Sequence, residues 1–349
     1  MVCQEAGLVT LSSGRYSRRH MPVARVRGPG HSDQVCDLVA AAIVEEYEKR
    51  DPASRLHIRV MGGHGALFVG GEVMSSADFD VSAVVRRVLG ASGVSADTEP
   101  FIAIEPMAPS WASEAGAREG AVVTAYATDE TKERIPPHVA MARKVARLLE
   151  AKRVGDEDWF WVDPDYEVLV ERVEQKYVTV VRAGHADAKP IAEVRSAIQH
   201  LLSDAQILAP IRINPAGEEL CIGLLHRVGS SAQAASLDEN GSLLSHASSG
   251  VGLHSVHPLN AGACIARATA RECLGRELGH AIMVSVSWLP LEARPHQVRI
   301  RNERGDDLSK AIDRERFDLK HIPEAYLSPG HLTHALEVGY RDVELPWEK

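Results

Sequence analysis

The chain of 349 residues carries 39 lysines and arginines against 48 aspartates and glutamates, which gives a formal net charge of -9 at pH 7. This acidic balance excludes the basic footprint of a protein that binds nucleic acid or an anionic membrane surface. No apolar run approaches the roughly 20 residues that a membrane-spanning helix needs.

The length allows two or three domains with a large buried core. Residues 1–21 lack the apolar centre of a signal peptide and are expected to form a flexible, partly basic tail. The cysteines are dispersed without the paired spacing of a zinc site or a disulfide framework; they are Cys3, Cys36, Cys221, Cys264 and Cys273. Reduced thiols and a cytoplasmic location are therefore expected.

The first strongly patterned segment follows Gly28-Pro29-Gly30 and ends near Arg50. Its apolar residues recur at three- and four-residue spacing, which predicts a helix with one buried face. Ser32 or Asp33 is expected to cap its start. A histidine and a carboxylate at a helix N-terminus suit a polyanion bound with a metal ion, whereas the alternative is a capped surface helix with an incidental histidine.

Further along the chain, alternating or apolar runs predict strands at 56–60, 66–74, 101–104, 168–173, 177–181, 211–213, 220–224, 281–289 and 297–301. Helical periodicity predicts helices that begin near Asp80, Pro136 and Ile191, and two more at 263–278 and 308–317. The stretches 106–120 and 229–262 are expected to be long loops. These patterns alone indicate an α+β or α/β protein of more than one domain.

Six short segments occur in a recognisable order. They are Gly30-His31-Ser32-Asp33-Gln34, Ala66 to Met74 with its Gly70-Gly71-Glu72, Tyr126-Ala127-Thr128-Asp129-Glu130-Thr131, Ile213-Asn214-Pro215-Ala216-Gly217, Phe317-Asp318-Leu319 and Pro346-Trp347-Glu348. Together they resemble the S-adenosylmethionine synthetase (methionine adenosyltransferase) family, which carries GHPDK, TGxxxVGGE, GYATNET, INPTG, FDL and PWE in this order. The resemblance extends from about Pro22 to the C-terminus.

The resemblance implies an α+β fold of three similar strand-helix-strand domains around a pseudo-threefold axis. On this basis we expect an N-terminal domain at 22–135, a central domain at 136–262 and a C-terminal domain at 263–349. It also implies a homodimer with active sites between the subunits.

In the family, the sulfur of methionine attacks the ribose C5′ of ATP and the whole triphosphate leaves. The resemblance assigns His31 as the catalytic residue and Asp33 as a magnesium ligand, since a carboxylate suits a hard cation. It assigns Glu72 to the methionine, and Glu119 keeps a carboxylate where the family has an aspartate. The alternative for Glu72 is a solvated residue on an edge strand, but the two glycines before it favour a close contact.

Several cations of the family pattern are missing. Gln34 replaces the lysine of GHPDK, and Glu167 replaces the lysine of RPDxK, in which Asp165 matches the aspartate. The sequence has no lysine between Lys189 and Lys310, and it has no arginine between Arg227 and Arg267, where the family's phosphate-binding motifs fall.

The triphosphate carries about four negative charges, which need compensation before it can leave. Arg59, Arg143, Arg182 and Arg227 could supply part of it because a guanidinium grips phosphate bidentately. Arg59 also stands where many relatives have an acidic residue that helps hold potassium, which argues against potassium and offers the arginine itself as its replacement.

Histidines lie within or beside the window that lacks lysine. His246 aligns with a family histidine in ARHGGG, and we expect it to contact substrate. Together with His254 or His257 it could build a new acid/base or metal site, whereas the alternative is a mobile polar loop with scattered histidines.

The sequence thus predicts an adenosyltransferase that takes ATP and methionine, or a methionine-like amino acid, with magnesium. The alternative is a family member that no longer uses ATP. Such a protein would act on an adenosyl or amino-acid ligand, or serve as a noncatalytic partner of an active relative. Neither prediction involves nucleic acid or a membrane.

Overall fold

The computed structural model describes residues 23–94, 98–108, 119–173, 176–207, 210–233, 249–327 and 345–349. In these ranges eleven strands form three sheets, and six α-helices accompany them. The predicted α+β class is therefore confirmed. The predicted tail at 1–21 lies outside the described residues.

The strands are β1 (Val23–Arg27), β2 (Arg55–Gly63), β3 (Ala66–Met74), β4 (Glu99–Pro106), β5 (Ala121–Thr128), β6 (Val162–Val173), β7 (Lys176–His185), β8 (Ile211–Ile213), β9 (Gly229–Ser230), β10 (Ala281–Trp288) and β11 (Gln297–Asn302). The helices are α1 (Ser32–Arg50), α2 (Val81–Ala91), α3 (Pro137–Gly155), α4 (Ile191–Asp204), α5 (Gly223–His226) and α6 (Ala263–Gly275).

The three sheets have the strand orders β4-β3-β2-β9, β1-β6-β7-β8 and β11-β10-β5. Each sheet buries one face against helices in its own apolar core. Each sheet contains one antiparallel pair of consecutive strands, namely β2 with β3, β6 with β7 and β10 with β11. The strands of these hairpins are among those that the sequence patterns predict.

Each sheet is completed by a strand from elsewhere in the chain. The first strand, β1, pairs with β6, whereas β5 pairs with β10 and β9 pairs with β2. The domain boundaries proposed at 135 and 262 stay a prediction, but the hydrogen-bonded sheets cross them.

Helix α1 is buried on almost every side as far as Val44, rather than along a single face. The reason is that it packs against α2 and also against two strands of the first sheet, β2 and β9. The prediction of one buried face is therefore wrong, since it did not anticipate the cover from β9. The caps of the next helices follow the prediction, because the Asp80 carboxylate accepts the Ala83 N–H at 3.2 Å and α3 begins at Pro137.

Two predicted elements are wrong. Residues 220–224 do not form a strand, because α5 begins at Gly223, whose φ of +62° a β-strand does not allow. Residues 308–317 form two short 3₁₀ turns, Ser309–Ala311 and Arg314–Phe317, instead of one helix.

The C-terminal sheet is tied to the last described residues by a buried ion pair. Arg267 on α6 is fully buried and donates from Nε and Nη2 to the two carboxylate oxygens of Glu348, at 2.8 and 2.7 Å. Its Nη1 also donates to the Tyr126 carbonyl at 2.6 Å. The Pro346-Trp347-Glu348 segment therefore closes the core over α6.

Candidate active site

A glycine-rich loop between β1 and α1 brings the start of the helix against β6. The Gly30 N–H donates to the Pro164 carbonyl at 3.0 Å. A Cβ on Gly30 would lie 2.8 Å from the Asp165 nitrogen, so a side chain there would push the two segments apart. The absence of a side chain at Gly30 thus places His31 beside Asp165.

His31 is itself the N-cap of α1. Its Nδ1 accepts the Asp33 N–H at 3.3 Å, so the expectation that Ser32 or Asp33 caps the helix is wrong. Burial lowers the pKa of His31 to about 4, and the charge of Arg27 adds to this effect. The imidazole is therefore neutral at pH 7, and because Nδ1 is an acceptor, its proton lies on Nε2.

Asp33 is the second residue of α1, two positions after the N-cap His31. One carboxylate oxygen accepts the Ser230 N–H at 3.0 Å, and the other lies 3.7 Å from Nη1 of Arg27. The described residues contain no group of three or more acidic, histidine or cysteine side chains that could hold a metal ion. Since both oxygens of Asp33 already face a donor or a cation, this carboxylate does not fit a ligand of the Mg²⁺ implied by the family resemblance. Binding of Mg²⁺ stays a prediction.

Asp165 faces the same loop and is completely buried. Its Oδ1 accepts Nη2 of Arg182 at 2.6 Å, and its Oδ2 accepts the Gly223 N–H at 2.7 Å. Both oxygens are thus engaged within the protein. Asp165 thus holds the Arg182 side chain and the Gly223 backbone in place beside His31. Its contact with substrate stays a prediction.

Arginines and carboxylates alternate around this corner of the sheet. Arg182 also faces Glu167 at 3.8 Å and Glu219 at 3.6 Å. Arg227 donates to Glu219 at 2.8 Å, and Arg25 lies 3.5 Å from Glu167. Four guanidinium groups therefore face four carboxylates; the set is Arg25, Arg27, Arg182 and Arg227 with Asp33, Asp165, Glu167 and Glu219.

The sequence indicated His31, Asp33, Asp165 and Arg227 but missed the part that Arg27 plays. A signal existed in the strands: Glu167, which replaces a family lysine, is directly opposite both Arg27 on β1 and Arg182 on β7. The positive charge missing from β6 is thus present on both neighbouring strands.

Glu72 lies on the open face of the first sheet. Its strand β3 is flanked by β2 and β4, so the alternative of an edge strand is wrong. Glu72 is opposite His57 on β2 and Glu105 on β4, which places these three side chains in one row.

Arg59 projects from the same face of β2. Its Nη1 donates to the carbonyls of Val251 at 2.7 Å and Ile58 at 3.1 Å. Burial lowers the pKa of Arg59, and the nearby charge of Glu119 partly offsets that effect. Two predicted substrate residues, Arg59 and the exposed Glu119, thus interact electrostatically, and the Arg59 cation is held against backbone carbonyl oxygens.

His246 lies outside the described residues, whereas His254 and His257 are buried. Their rings meet edge to face, with centroids 5.5 Å apart. His254 Nδ1 accepts the Leu56 N–H and His257 Nδ1 accepts the Leu259 N–H, each at 3.2 Å. Burial lowers the pKa of His254 to about 4 and that of His257 to about 3, so both are neutral at pH 7.

Fold and site together define an α+β protein in which a neutral histidine, two carboxylates and several guanidiniums meet at the N-terminus of a buried helix. The profile of the S-adenosylmethionine synthetase N-terminal domain matches residues 23–105, from β1 to β4.

Three relatives named S-adenosylmethionine synthase are similar to the chain. The protein from Sorangium cellulosum is 25% identical over 95% of this chain and 88% of its own length. That from Nocardia farcinica is 22% identical over 91% of this chain and 93% of its own. The Aquifex aeolicus protein is 31% identical over 41% of each chain.

These matches confirm the resemblance found in the sequence. The chain is similar to S-adenosylmethionine synthases over most of its length, at low identity, and residues 23–105 match the N-terminal domain of that family.

Proposed function

We propose that the chain is an adenosyltransferase of the S-adenosylmethionine synthetase type. It joins the adenosyl group of ATP to methionine, or to a methionine-like amino acid, and releases triphosphate. The observation that carries this proposal is the neutral His31 at the N-terminus of α1, between Asp33 and Asp165. The relatives' shared name supports the same reaction class.

In this reaction a lone pair of the amino-acid sulfur attacks C5′ of ATP. The C–S bond forms while the C5′–O bond breaks, and the bonding electrons leave on the triphosphate oxygen. His31 Nε2–H donates a hydrogen bond to an oxygen of that leaving group, and the positive end of α1 stabilises its charge. No step is assigned to a metal, because the carboxylates of Asp33 and Asp165, which flank His31, already have partners.

The amino-acid substrate would bind at the open face of the first sheet. Glu72 offers a carboxylate for its ammonium group, and Glu119 offers a second one beside Arg59. The carboxylate of the substrate would pair with Arg59, whose side chain the Val251 carbonyl holds in place.

A second candidate function follows from the pairing of the arginines. The guanidinium groups of Arg27, Arg182 and Arg227 all face carboxylates, so their net field on a triphosphate is small. This favours a protein that no longer uses ATP and binds an adenosyl or amino-acid ligand, or one that is a noncatalytic partner subunit.

We also propose a homodimer, built on the open face of the first sheet. Met61, Phe68 and Phe101 project from this face with about half of their surface exposed, at 54%, 51% and 51%. Apolar exposure of this kind on adjacent strands is typical of a protein interface. A cytoplasmic location is proposed on the cysteines, since Cys36, Cys221 and Cys273 form no disulfide within the described residues. Separately, no helix in the part of the chain that the structure describes is long and apolar enough to cross a membrane.

The test combines binding with product analysis. Purified protein is incubated with ATP and methionine, in the presence and absence of Mg²⁺, and an adenosyl sulfonium is sought by mass spectrometry. Isothermal titration with ATP and with S-adenosylmethionine runs in parallel.

Formation of the sulfonium supports the synthetase reaction. Binding of S-adenosylmethionine without binding or turnover of ATP contradicts it and supports the second candidate. If neither ligand binds, the synthetase reaction is contradicted, and a catalytic relative captured from the native host would identify the chain as a partner subunit.

A further inference from the structure

The two aspartates that flank His31 have the chemistry of hard-cation ligands, yet each faces a guanidinium. Asp33 lies 3.7 Å from Arg27, and Asp165 lies 2.6 Å from Arg182. The Ser230 N–H donates to the other oxygen of Asp33, and the Gly223 N–H donates to the other oxygen of Asp165. The oxygens that would coordinate a metal therefore already have donors or a cation beside them.

Arg27 has little freedom to leave this position. It ends β1, directly opposite Glu167 in the ladder with β6, so its backbone is fixed. Its side chain exposes only 3% of its surface, and an arginine so desolvated depends on its charged neighbours. A divalent cation placed on Asp33 would be repelled by this fixed charge at short range.

We propose that Arg27 takes the place of a divalent cation at this site, so that the chain binds its ligand at His31 without metal. The ligand would then be bound through an anionic group that accepts the Nε2–H of His31, with no divalent counter-ion between that group and Asp33. The identity of the ligand rests on the proposed function, whereas the role of Arg27 does not.

The first test uses Mn²⁺ alone, followed by electron paramagnetic resonance of the free ion. The wild-type protein is expected to bind Mn²⁺ no better than Asp33→Asn. Arg27→Met keeps the apolar stem and removes the charge, and it is expected to bind Mn²⁺ at least about tenfold more tightly than wild type. The double variant Arg27→Met/Asp33→Asn should lose this gain.

Arg25→Met is the matched control, because it removes the same charge from the same strand at a more exposed ion pair with Glu167. It should not create Mn²⁺ binding. A folded Arg27→Met without the gain, or wild-type Mn²⁺ binding that Asp33→Asn abolishes, would overturn the proposal. Circular dichroism reports whether Arg27→Met folds.

A second measurement needs no variant. Titration of wild type with S-adenosylmethionine and with ATP in EDTA, and again in Mg²⁺, should give the same affinity for whichever ligand binds. Binding that requires Mg²⁺ overturns the role of Arg27 and leaves the adenosyltransferase proposal intact. If neither ligand binds in either buffer, the proposed function fails, and the Mn²⁺ titrations still decide the role of Arg27.

Discussion

His31 has a structural role as well as its proposed chemical one, because its Nδ1 caps α1 while its Nε2–H remains for a ligand. The two roles can be separated by substitution. Asparagine is a good N-cap but has no imidazole, whereas alanine can fill neither role.

We therefore expect His31→Asn and His31→Ala both to lose turnover by at least about 100-fold, the usual contribution of a hydrogen-bonding acid or base. Only His31→Ala should also lose about 1 kcal/mol in the free energy of unfolding. Product formation and urea denaturation measure the two effects. Turnover retained in His31→Asn would show that the imidazole does not act on the reaction.

His138 gives a prediction on stability and pH. It is almost completely buried in the first turn of α3, and both ring nitrogens lack a hydrogen-bond partner among the described residues. Burial lowers its pKa from 6.5 to about 4. The unfolded chain therefore binds more protons between these two values, and stability is lost as the pH falls from 6.5 towards 4.

His138→Leu should raise the free energy of unfolding at pH 7.5 by about 1–2 kcal/mol, since it removes an unsatisfied buried group. It should also reduce the loss between pH 7.5 and 5 by about 2 kcal/mol, because one lowered pKa no longer contributes. Urea denaturation at both pH values measures this. His200→Leu, at an exposed position on α4, is the control and should change neither quantity by more than about 0.5 kcal/mol. An unchanged pH dependence in His138→Leu would contradict the assigned shift.

At the level of single residues, local sequence was enough to place His31 and Asp33 together, because they share one loop and its helix start. It could not reveal that Arg27 and Arg182 flank them. Their proximity depends on the pairing of β1 with the β6–β7 hairpin, which lies far from it in the chain.

The strand β3 shows how two adjacent glycines can have different roles. A Cβ on Gly71 would lie 2.3 Å from the His57 carbonyl oxygen of β2, whereas one on Gly70 would meet only the Ala103 carbonyl, at 4.0 Å. Close approach of the backbones is therefore required at Gly71 alone.

Gly71→Ala should lower the free energy of unfolding by about 2–3 kcal/mol, because the clash involves backbone and the ladder must shift. Gly70→Ala is the matched control and should stay within about 0.5 kcal/mol of wild type. Thermal or urea unfolding of both variants tests the pair. Equal stability of the two variants would mean that the strands are not packed as closely as the structure shows.

Among the elements, the long alternating strands of the three hairpins were predictable because each buries one face. The failures at 220–224 and 308–317 have a common cause. Both segments contain apolar residues at spacings that suit a regular element, but backbone conformation and tertiary contacts decide otherwise. Gly223 adopts a positive φ, and the segment before Phe317 packs as 3₁₀ turns below α6.

At the scale of the whole molecule, the proposed dimer makes a direct prediction. Phe68 and Phe101 stack on the open face of the first sheet, with ring centroids 5.1 Å apart. Burying a charged side chain at this position would cost more free energy than the burial of the phenylalanine ring contributes to the interface.

Phe68→Asp should therefore shift the protein from dimer to monomer, measured by sedimentation or light scattering across a range of concentrations. Phe160→Asp is the control, because Phe160 is 82% exposed and lies near the end of α3, away from this sheet. It should leave the dimer intact. A wild type that is already monomeric, or a dimer that survives Phe68→Asp, would contradict this interface.

The exchange of strands between the three sheets was outside the reach of sequence patterns. Nothing in the alternation of β1, β5 or β9 indicates which sheet each strand joins. The contiguous domains expected from the family resemblance, at 22–135, 136–262 and 263–349, stay a prediction. Each hydrogen-bonded sheet, however, contains strands from two of these ranges.

This arrangement limits how such a gene can exchange parts with a relative. A single crossover near residue 135 would pair β1, β2 and β5 from one parent with β6, β9 and β10 from the other, so all three sheets would contain strands that were never selected together. A crossover between β6 and β7 would likewise take β5 and β10, which pair with each other, from different parents. Recombinants that fold are expected to come from pairs of crossovers that move a hairpin together with its distant strand.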